Sequence, residues 1–451
     1  MRVPFVLQHD DARFLPVNAF AEANPQDSKT PVTIRAVQGL DSFGGGTFSG
    51  ASGVVRGMCA LNGERYAVIG DDLYKFTALG GLINVGTVPN VDYVRMAASA
   101  DELVILTNGA GYVYDGSSTT LISDGDFLSS RDVAYLDGYH IFIEEDSNRF
   151  FLSDLNDATA YDSTNRARAE GGPDNLVALL VDHREVWMFG ELTTEVWVNT
   201  GGTFPLERLG GAFLERGCAS TGAPAKEDNT VFWLGENGIC YRAVGYVPQR
   251  ISTHAIERMI APWTWTSAEG YTYTENGHPF YVLTFPEGTI AYDISTNLWH
   301  RRSSYLRDHF RATTHIRVGG TNYFGDSFSP SVLTSSSTTH EDNGEPFIRS
   351  LHTAPIHQDR RNVFHHRIEF DLQNGVAGVS EPKCMLDASD DGGKTWAGLP
   401  DNTIGAIGNY KHRTAWHALG MSKERLYRLQ VSDAVEFTVK DGTAEVTLGE
   451  F

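Results

Sequence analysis

The sequence of 451 residues has few cysteines and no long apolar run. The four cysteines lie far apart and form no CxxC pair, so we expect free thiols rather than a zinc site or a redox motif. Cys240 is interpreted as a small core residue, and a Cys218–Cys240 disulfide would require a secreted protein. The N-terminus opens no signal peptide and no transmembrane segment follows, which predicts cytoplasmic synthesis.

Basic residues are also scarce, with 36 Lys and Arg against 57 Asp and Glu and a formal net charge of −21. Affinity for nucleic acid comes mainly from neutralising phosphates, so this composition excludes capture of free DNA but not DNA sliding along an acidic wall. The chain has no phosphate-binding loop, G-x-S-x-G, HExxH or dinucleotide fingerprint. We therefore expect no enzyme activity, and we assign no catalytic, cofactor-binding or metal-binding residue.

What the sequence does contain is a pair of short strands that recurs seven times between residues 46 and 340. A repeat of about 40–50 residues built from short strands is typical of a β-propeller. The first strands centre on Val68, Ile105, Ile141, Trp187, Phe232, Tyr281 and Tyr323, and the second on Tyr74, Val113, Phe151, Val196, Cys240, Ala291 and Leu333. Seven pairs predict seven blades, with six as the alternative if the last pair belongs elsewhere.

Glycine, asparagine and aspartate mark the tight turns before many of the first strands, because these residues accept positive φ at low cost. The turns are Asn62-Gly63, Asp137-Gly138, Asp228-Asn229, Asn276-Gly277 and Gly319-Gly320. A single helix is predicted from His254 to Ile260, with Ser252 or Thr253 as its N-cap.

The predicted organisation is all-β in three parts. Residues 1–45 form an N-terminal arm that ends at Gly44-Gly45-Gly46, and Val32 to Val37 is a candidate strand to close the ring by pairing with the last blade. Residues 46–344 form the propeller. Residues 345–451 form a β-sandwich-like domain after a linker at 335–346. Its predicted strands are Phe364 to Leu372, Lys383 to Ala388, Arg425 to Ser432 and Ala434 to Lys440.

Residues 389–396 fit the Asp-box pattern S-x-D-x-G-x-T-W, in which an aspartate holds a hairpin turn. The motif resembles those of sialidases, but it occurs once and outside the propeller repeat. Glycoside hydrolysis normally needs a pair of carboxylates, and none can be singled out among so many acidic residues. We interpret the box as a stabilised turn.

Histidines and arginines are concentrated near the end of the propeller. Eight of the 15 histidines fall between His300 and His366, without the spacing of a metal site, and we expect them at the surface or in interfaces. Adjacent His365 and His366 should point to opposite faces of a strand. The densest basic stretch is Arg301, Arg302, Arg307, Arg311 and Arg317. It fits pairing with neighbouring acidic side chains, or else contact with another subunit, an acidic partner or phosphate.

Several segments together resemble the packaged-DNA stabilisation proteins of short-tailed bacteriophages, also called tail hub or tail accessory proteins. The resemblance spans residues 15 to 300, weakens beyond them, and depends on the order and spacing of the segments. They are Leu15-Pro16-Val17-Asn18, Phe151-Leu152-Ser153-Asp154-Leu155, Arg168-Ala169-Glu170-Gly171-Gly172-Pro173-Asp174, Phe189-Gly190, Thr194-Glu195, Ile251-Ser252-Thr253, Ile256-Glu257, Tyr292-Asp293 and Trp299.

The resemblance implies a structural component of the phage tail in the virion, assembled in the cytoplasm of the host bacterium. It implies a homo-hexameric ring below the portal and its adaptor, which extends the DNA channel and helps to retain the packaged genome. Its implied partners are the portal-adaptor protein, a tail needle or nozzle, tail fibres or spikes, and DNA that passes without sequence-specific binding. The alternatives are a propeller that hydrolyses glycans and a lectin-like receptor-binding protein.

Overall fold

The computed structural model describes residues 1–7, 10–44, 50–90, 92–359, 361–375 and 379–449. Within these residues, seven four-stranded antiparallel sheets follow one another along the chain, and the first strand of the last contacts the first strand of the first. The fold is therefore a β-propeller with seven blades, as predicted. The seven predicted strand pairs are the second and third strands of the blades.

In every blade the first strand lies at one edge of the sheet, nearest the propeller axis, and the fourth lies at the outer edge. The strands, from the inner to the outer edge, are Val55–Leu61, Glu64–Ile69, Asp72–Phe76 and Leu82–Thr87 in blade 1; Arg95–Ala98, Leu103–Thr107, Ala110–Tyr114 and Thr119–Leu121 in blade 2; Ser130–Leu136, Tyr139–Glu144, Arg149–Asp154 and Asp157–Arg168 in blade 3; Leu176–Asp182, Glu185–Gly190, Thr194–Asn199 and Leu206–Leu214 in blade 4; Ala225–Glu227, Thr230–Leu234, Cys240–Val244 and Val247–Arg250 in blade 5; Glu269–Glu275, His278–Phe285, Gly288–Asp293 and Leu298–Arg302 in blade 6; and Ala312–Val318, Thr321–Asp326, Val332–Ser336 and Gly39–Ser42 in blade 7.

The ring is closed by a strand from the N-terminal segment. Gly39–Ser42 pairs antiparallel with Val332–Ser336 and completes blade 7. The predicted closing strand, Val32 to Val37, is wrong. Val32–Ala36 pairs instead with Ala19–Ala23 and with a C-terminal strand, Thr438–Leu448. The N-terminal arm is thus shared between the propeller and the C-terminal sheets, and the predicted division of the chain at 45 and 344 stays a prediction.

Helices are few and short. The α-helix His254–Ile260 was predicted with its N-cap, and Thr253 accepts a hydrogen bond from the backbone N–H of Ile256. Two 3₁₀ turns, Ala12–Phe14 and Trp265–Ser267, complete the helical residues among those described. No helix in the described part of the chain is long and apolar enough to cross a membrane. Cys240 is fully buried, and all four cysteines are free.

Two further sheets pack face to face around an apolar core, which confirms the β-sandwich. The first contains Ala19–Ala23, Val32–Ala36, Thr438–Leu448, Val363–Leu372 and Thr414–His417, with Met421–Ser422 at its margin; the second contains Arg349–His352, Glu424–Val431, Lys383–Ser389 and Ala397–Gly398, with Ile356–His357 and Asn402–Thr403 at its margins. Three of the four predicted strands are confirmed. The fourth begins at Thr438 rather than at Ala434, because a turn at Asp433–Val435 delivers Val435 and Phe437 to the core first.

The predicted linker is not a free connection. It runs beside the closing strand, where the backbone N–H groups of Gly39 and Leu40 donate to the carbonyls of Thr339 and Glu341, at 3.0 and 2.9 Å. Asp342 is completely buried there. The backbone that joins the two domains therefore covers the outer edge of blade 7. Of the predicted joint Gly44-Gly45-Gly46, the last two residues lie outside the described residues.

The closing strand supplies a testable prediction through Leu40, which is 3% exposed. Leu40→Ala should lower the free energy of unfolding by about 2–5 kcal/mol, because it leaves a cavity where the ring closes. Chemical denaturation measures the loss. Leu79 is 94% exposed and provides the matched control, so Leu79→Ala should change stability by less than about 0.5 kcal/mol. Equal effects of the two substitutions would contradict closure by this strand.

Candidate functional site

The inner strands of all seven blades surround a cavity of about 440 Å³ on the propeller axis. Two side chains meet across it. Arg95 from blade 2 donates two hydrogen bonds to the carboxylate of Glu269 in blade 6, at 2.8 and 2.5 Å. Burial opposes the charged form of Arg95, but the adjacent Glu269 carboxylate outweighs it and raises the pKa. Because blades 2 and 6 lie on opposite sides of the ring, this ion pair spans the axial cavity.

A third charged group, Asp132 of blade 3, lines the same cavity and is 5% exposed. Its carboxylate accepts hydrogen bonds from the backbone N–H groups of Val133 and Leu179, at 2.9 and 2.7 Å, which joins blade 3 to blade 4. Burial raises the pKa of Asp132 to about 7, while the charge of Arg95 opposes this shift. The axial site thus connects four blades through polar contacts. In the described residues, no group of three or more His, Cys, Asp or Glu side chains is arranged to hold a metal ion.

The predicted basic stretch does not form one surface. Arg302 is buried and lies over the rings of Tyr273, Phe280 and Phe310, at 5.6, 5.3 and 5.8 Å from their centroids. Its guanidinium donates to the Tyr273 hydroxyl and to Nε2 of His300, at 2.6 and 2.9 Å. This arginine is a core residue, stabilised by cation–π contacts.

Arg311 is also buried, and it holds the linker. It donates to the Asp326 carboxylate at 3.2 Å and to the backbone carbonyl of Asp342 at 2.5 Å. Arg307 pairs with Glu345 at 3.3 Å, whereas Arg317 is exposed. The interpretation as pairing with neighbouring acidic groups is confirmed for Arg307 and Arg311.

The histidine prediction is wrong for several positions. His300, His352 and His365 are buried, and burial lowers the pKa of each, to about 4 for His352 and His365. A neutral imidazole packs and hydrogen-bonds like other core aromatics, which explains why these residues need no surface. His366 is exposed while His365 is buried, so these neighbours face opposite sides as predicted.

The Asp box forms a turn in the second sandwich sheet. Asp391 accepts hydrogen bonds from the backbone N–H groups of Lys394 and Thr395, both at 2.9 Å, and from the hydroxyl of Thr395 at 2.7 Å. These contacts lower the pKa of Asp391. Trp396 lies against Arg428, whose guanidinium is 4.7 Å from the ring centroid. The Ser389 hydroxyl also donates to Asp391, so the polar side chains of Ser389, Asp391 and Thr395 bond to one another within the hairpin.

Two of the segments that carry the family resemblance are held in place by networks of buried polar contacts. The first network is centred on Asn18, which is fully buried and has a φ of 52°. Its amide donates to the carbonyls of Ser303 and Ile348, both at 2.9 Å, and accepts from the N–H of Ser303 at 3.0 Å. One side chain thus ties the N-terminal segment to blade 6 and to the start of the C-terminal domain.

The second network of polar contacts joins the Gly-Gly-Pro-Asp segment at residues 171–174 to blade 4. Asp174 accepts hydrogen bonds from the N–H groups of Leu192 and Thr193, at 2.7 and 2.8 Å. A Cβ on Gly190 would lie 2.4 Å from the Asp174 carboxylate and 3.0 Å from the backbone carbonyl oxygen of Thr193, so a larger residue would have to displace these contacts. Glu195 receives the N–H of Gly171 in the same region. Because these residues bond to one another, their contacts account for their spacing along the sequence.

Turns between the first and second strands distinguish blade 4 from the others. Six blades use a two-residue turn in which both residues have positive φ: Asn62-Gly63, Asp137-Gly138, His183-Arg184, Asp228-Asn229, Asn276-Gly277 and Gly319-Gly320. Five consist of glycine, asparagine and aspartate, which tolerate this conformation. In blade 4 the φ angles of His183 and Arg184 are 47° and 63°. We call His183-Arg184 the basic turn.

Local contacts do not offset the strain of the basic turn. A left-handed conformation costs about 1–2 kcal/mol for a residue with a Cβ and a bulky chain. The Arg184 guanidinium donates to Asp137 at 2.8 Å, but its side chain is 78% exposed. Such an exposed ion pair contributes only about 0–1 kcal/mol. The His183 ring lies 2.7 Å from the Asp182 carboxylate, which raises the pKa of the imidazole. Sequence reasoning missed this turn, although His-Arg at a position of Asn-Gly was a visible signal.

Four carboxylates on blades 2 and 3 lie on the same face of the propeller as the basic turn. We call Asp101, Glu102, Asp115 and Asp157 the acidic cluster. Burial and then the charges of the other three raise the pKa of Glu102. The four arginines of blade 3 bond elsewhere: Arg131 to Asp146, Arg149 to Glu144, Arg166 to Asp126 and Arg168 to the amide oxygen of Asn148. The acidic cluster is therefore a site of uncompensated negative charge.

Contacts from blade to blade place the acidic cluster and the basic turn on one face. Glu102 accepts the N–H of Ala158 at 2.9 Å. Asn156 donates to the carbonyl of Gly138 at 2.7 Å, beside Asp137, which binds Arg184. This chain of contacts runs across blades 2, 3 and 4.

Solved structures similar to the chain include the computationally designed Ika8 protein (14% identity, 74% of this chain and 99% of that chain, TM-score 0.41). They also include the extracellular domain of the putative one component system BT4673 from B. thetaiotaomicron (12% identity, 85% and 58%, TM-score 0.46) and PorZ from Porphyromonas gingivalis (11% identity, 78% and 46%, TM-score 0.38). No curated protein sequence matches the chain.

Family models give a specific answer. The description "Bacteriophage P22 Gp10, beta-propeller" matches residues 7–339, and "Bacteriophage P22 Gp10, beta-sandwich" matches residues 348–447. Matches to the two family models, one over each domain, indicate a structural protein of the phage virion. The chain belongs to the bacteriophage P22 Gp10 family, which stabilises packaged DNA. The predicted resemblance is confirmed, and the match continues through the C-terminal domain, where the resemblance was weak.

The axial ion pair generates a stability prediction. Arg95→Met leaves Glu269 buried without its partner and should lower the free energy of unfolding by about 3–5 kcal/mol. The double variant R95M/E269L removes both charges and should recover most of the loss. Chemical denaturation measures both, with Arg317→Met as a control at an exposed arginine. A loss below about 1 kcal/mol in the single variant would contradict a buried ion pair between Arg95 and Glu269.

Asp132 predicts a dependence of stability on pH. Its pKa in the folded protein, about 7, lies above the ordinary aspartate value, so between these values the folded state holds a proton that the unfolded chain has released. The free energy of unfolding should fall as pH rises from about 4 to 7, by up to about 1.4 kcal/mol per pH unit. Asp132→Asn should flatten this slope, even if it weakens the fold overall. Exposed Asp154→Asn should leave the slope unchanged. An unaltered slope in D132N would refute the assignment.

Proposed function

We propose that this chain is the tail hub of a short-tailed phage. Several copies, in our proposal six, form a ring below the portal and its adaptor and extend the DNA channel. The ring helps to retain the packaged genome and anchors the needle or nozzle and the fibres or spikes. Assembly takes place in the cytoplasm of the host. The observation that carries the proposal is the match to the P22 Gp10 family over both domains.

The small size of the cavity on the propeller axis supports a channel between copies. An axial cavity of about 440 Å³ crossed by Arg95 and Glu269 has room for a small molecule but not for a duplex. A DNA path must therefore be built from several chains around a common axis. A closed ring of blades leaves only short, protected strand edges, and such a compact ring suits a part that resists the pressure of packed DNA.

Charge also supports this role. Residues 46–344 carry 37 Asp and Glu against 20 Lys and Arg, whereas residues 345–451 carry 15 against 12. The propeller thus holds most of the negative charge. An acidic wall repels the phosphate backbone, so DNA slides past it without being captured.

Glycan binding or hydrolysis is not the function that the site supports. Its motif, the Asp box, is occupied by its own turn contacts. A non-enzymatic structural role agrees with the family, and we propose no catalytic activity.

The proposal is tested by assembly on the adaptor. The purified chain should bind portal–adaptor complexes from the same genome and appear in negative-stain electron micrographs as a ring with an open centre, six copies to each adaptor ring. Binding should persist in the presence of free DNA. Monomers that do not bind the adaptor would refute the hub, and hydrolysis of host glycans would replace it with the enzyme.

A further inference from the structure

We propose that Asp342, in the segment that joins the two domains, binds a proton in the folded protein and releases it near neutral pH, so that acid strengthens this junction. The junction consists of residues 339–345, which run beside the closing strand and lead into the sandwich. Every group in the device belongs to one chain, so the inference does not rest on the proposed ring.

The first argument is the burial of Asp342. Its side chain is 0% exposed, and neither carboxylate oxygen has a hydrogen-bond donor among the described residues. Its backbone is held on both sides, because its N–H donates to the carbonyl of Glu345 at 2.9 Å and its carbonyl accepts from the Arg311 guanidinium at 2.5 Å. The carboxyl group therefore stays in the interior. A buried carboxylate without donors is costly as an anion, whereas the protonated form carries no charge to desolvate.

The second argument is the charge balance, since one arginine faces three carboxylates. The Arg311 guanidinium donates to Asp326 at 3.2 Å and lies 3.6 Å from Glu345 and 4.0 Å from Asp342. Glu345 also pairs with Arg307, at 3.3 Å. The two arginines thus supply two positive charges against three negative ones. The excess negative charge falls on Asp342, the carboxylate furthest from a guanidinium, and a proton there neutralises the site.

Other charged groups near the junction are engaged elsewhere. On the closing strand, Asp41 accepts a hydrogen bond from a threonine hydroxyl of the junction. Burial, followed by the charge of Arg349, lowers the pKa of His340, so this imidazole supplies no cation. Arg349 itself donates to backbone carbonyls. Among the described residues, Arg311 is therefore the cation that lies within 4.0 Å of Asp342.

The balance of these effects fixes the direction of the pH dependence. Burial raises the pKa of Asp342 to about 6, with a contribution from the charges of Asp326 and Glu345, although Arg311 and the Ser304 hydroxyl favour the charged form. The ordinary aspartate value is about 4, so between these values the folded chain holds a proton that the unfolded chain has released. The stability that this proton provides is present in full below about pH 4 and is lost as pH rises through about 6.

The test compares the wild-type chain with Asp342→Asn, whose neutral amide imitates the protonated acid. As pH rises from about 4 to about 7, the equilibrium constant for unfolding should increase by up to about 100-fold more in the wild type, because two pKa units correspond to a factor of about 100. Asp308→Asn, at an exposed aspartate in the connection between blades 6 and 7, should follow the wild-type profile. Chemical denaturation across this pH range measures all three chains.

The shape of the pH profile distinguishes a residue that binds a proton from one that only packs. Parallel profiles of the wild type and D342N would overturn the proposal. Glu345→Gln is a second variant, which keeps Asp342 and removes a carboxylate that competes for Arg311. It should move the loss of stability to lower pH, and an unchanged midpoint would contradict the proton site. A gain of stability with calcium chloride at about pH 8, confined to chains that keep Asp342, would also overturn it, because a metal ion would then neutralise this carboxylate.

Discussion

The rest of the structure depends on closure of the propeller by Gly39–Ser42, a strand of the N-terminal segment. A ring of sheets gains its stiffness only when the last blade is complete, because an unfinished blade leaves a free strand edge. Gly39–Ser42 completes it. The residues just before, Val32–Ala36, belong to the first sheet of the sandwich and pair with Thr438–Leu448. The same short segment is therefore a structural part of both domains.

Buried polar contacts fix this arrangement in place. Asn18 joins the N-terminal segment to blade 6 and to residue 348, and Arg311 holds the segment that follows blade 7. Such contacts are directional, so they specify one relative position of the two domains where apolar packing alone would allow several. On the propeller axis, Arg95 and Glu269 act in the same way. The tail hub that we propose would benefit from one rigid arrangement of its two domains.

The local elements could be predicted because their signals are local. Strand pairs, tight turns and the capped helix at His254–Ile260 each depend on residues within a few positions of one another. The closing strand could not be predicted, since Val32–Ala36 and Gly39–Ser42 are both short strands and only distant partners decide their places. Arg95 and Glu269 are 174 residues apart and carry no shared motif. The burial of the histidines could not be predicted, because the sequence shows only a polar side chain, whereas the fold keeps these imidazoles neutral.

The basic turn differs from these features, because the sequence alone contained the signal for it. His183-Arg184 stands where the repeat predicts Asn-Gly, so a comparison of the seven repeats would have revealed it. Places where a sequence breaks its own local rule are where function is expected. Arg95 and Glu269, by contrast, match no sequence pattern, and their contact joins two blades of the fold.

Hydrogen exchange of the closing strand tests the central claim most directly. The amides of Gly39, Leu40 and Asn343 are bonded in the seam between this strand and the segment that follows blade 7. If closure holds both domains, these amides should exchange as slowly as those in the inner strands of blade 6, through global unfolding. Exchange of the seam orders of magnitude faster, while the blades and the sandwich stay protected, would show that both domains stand without it and would contradict the account.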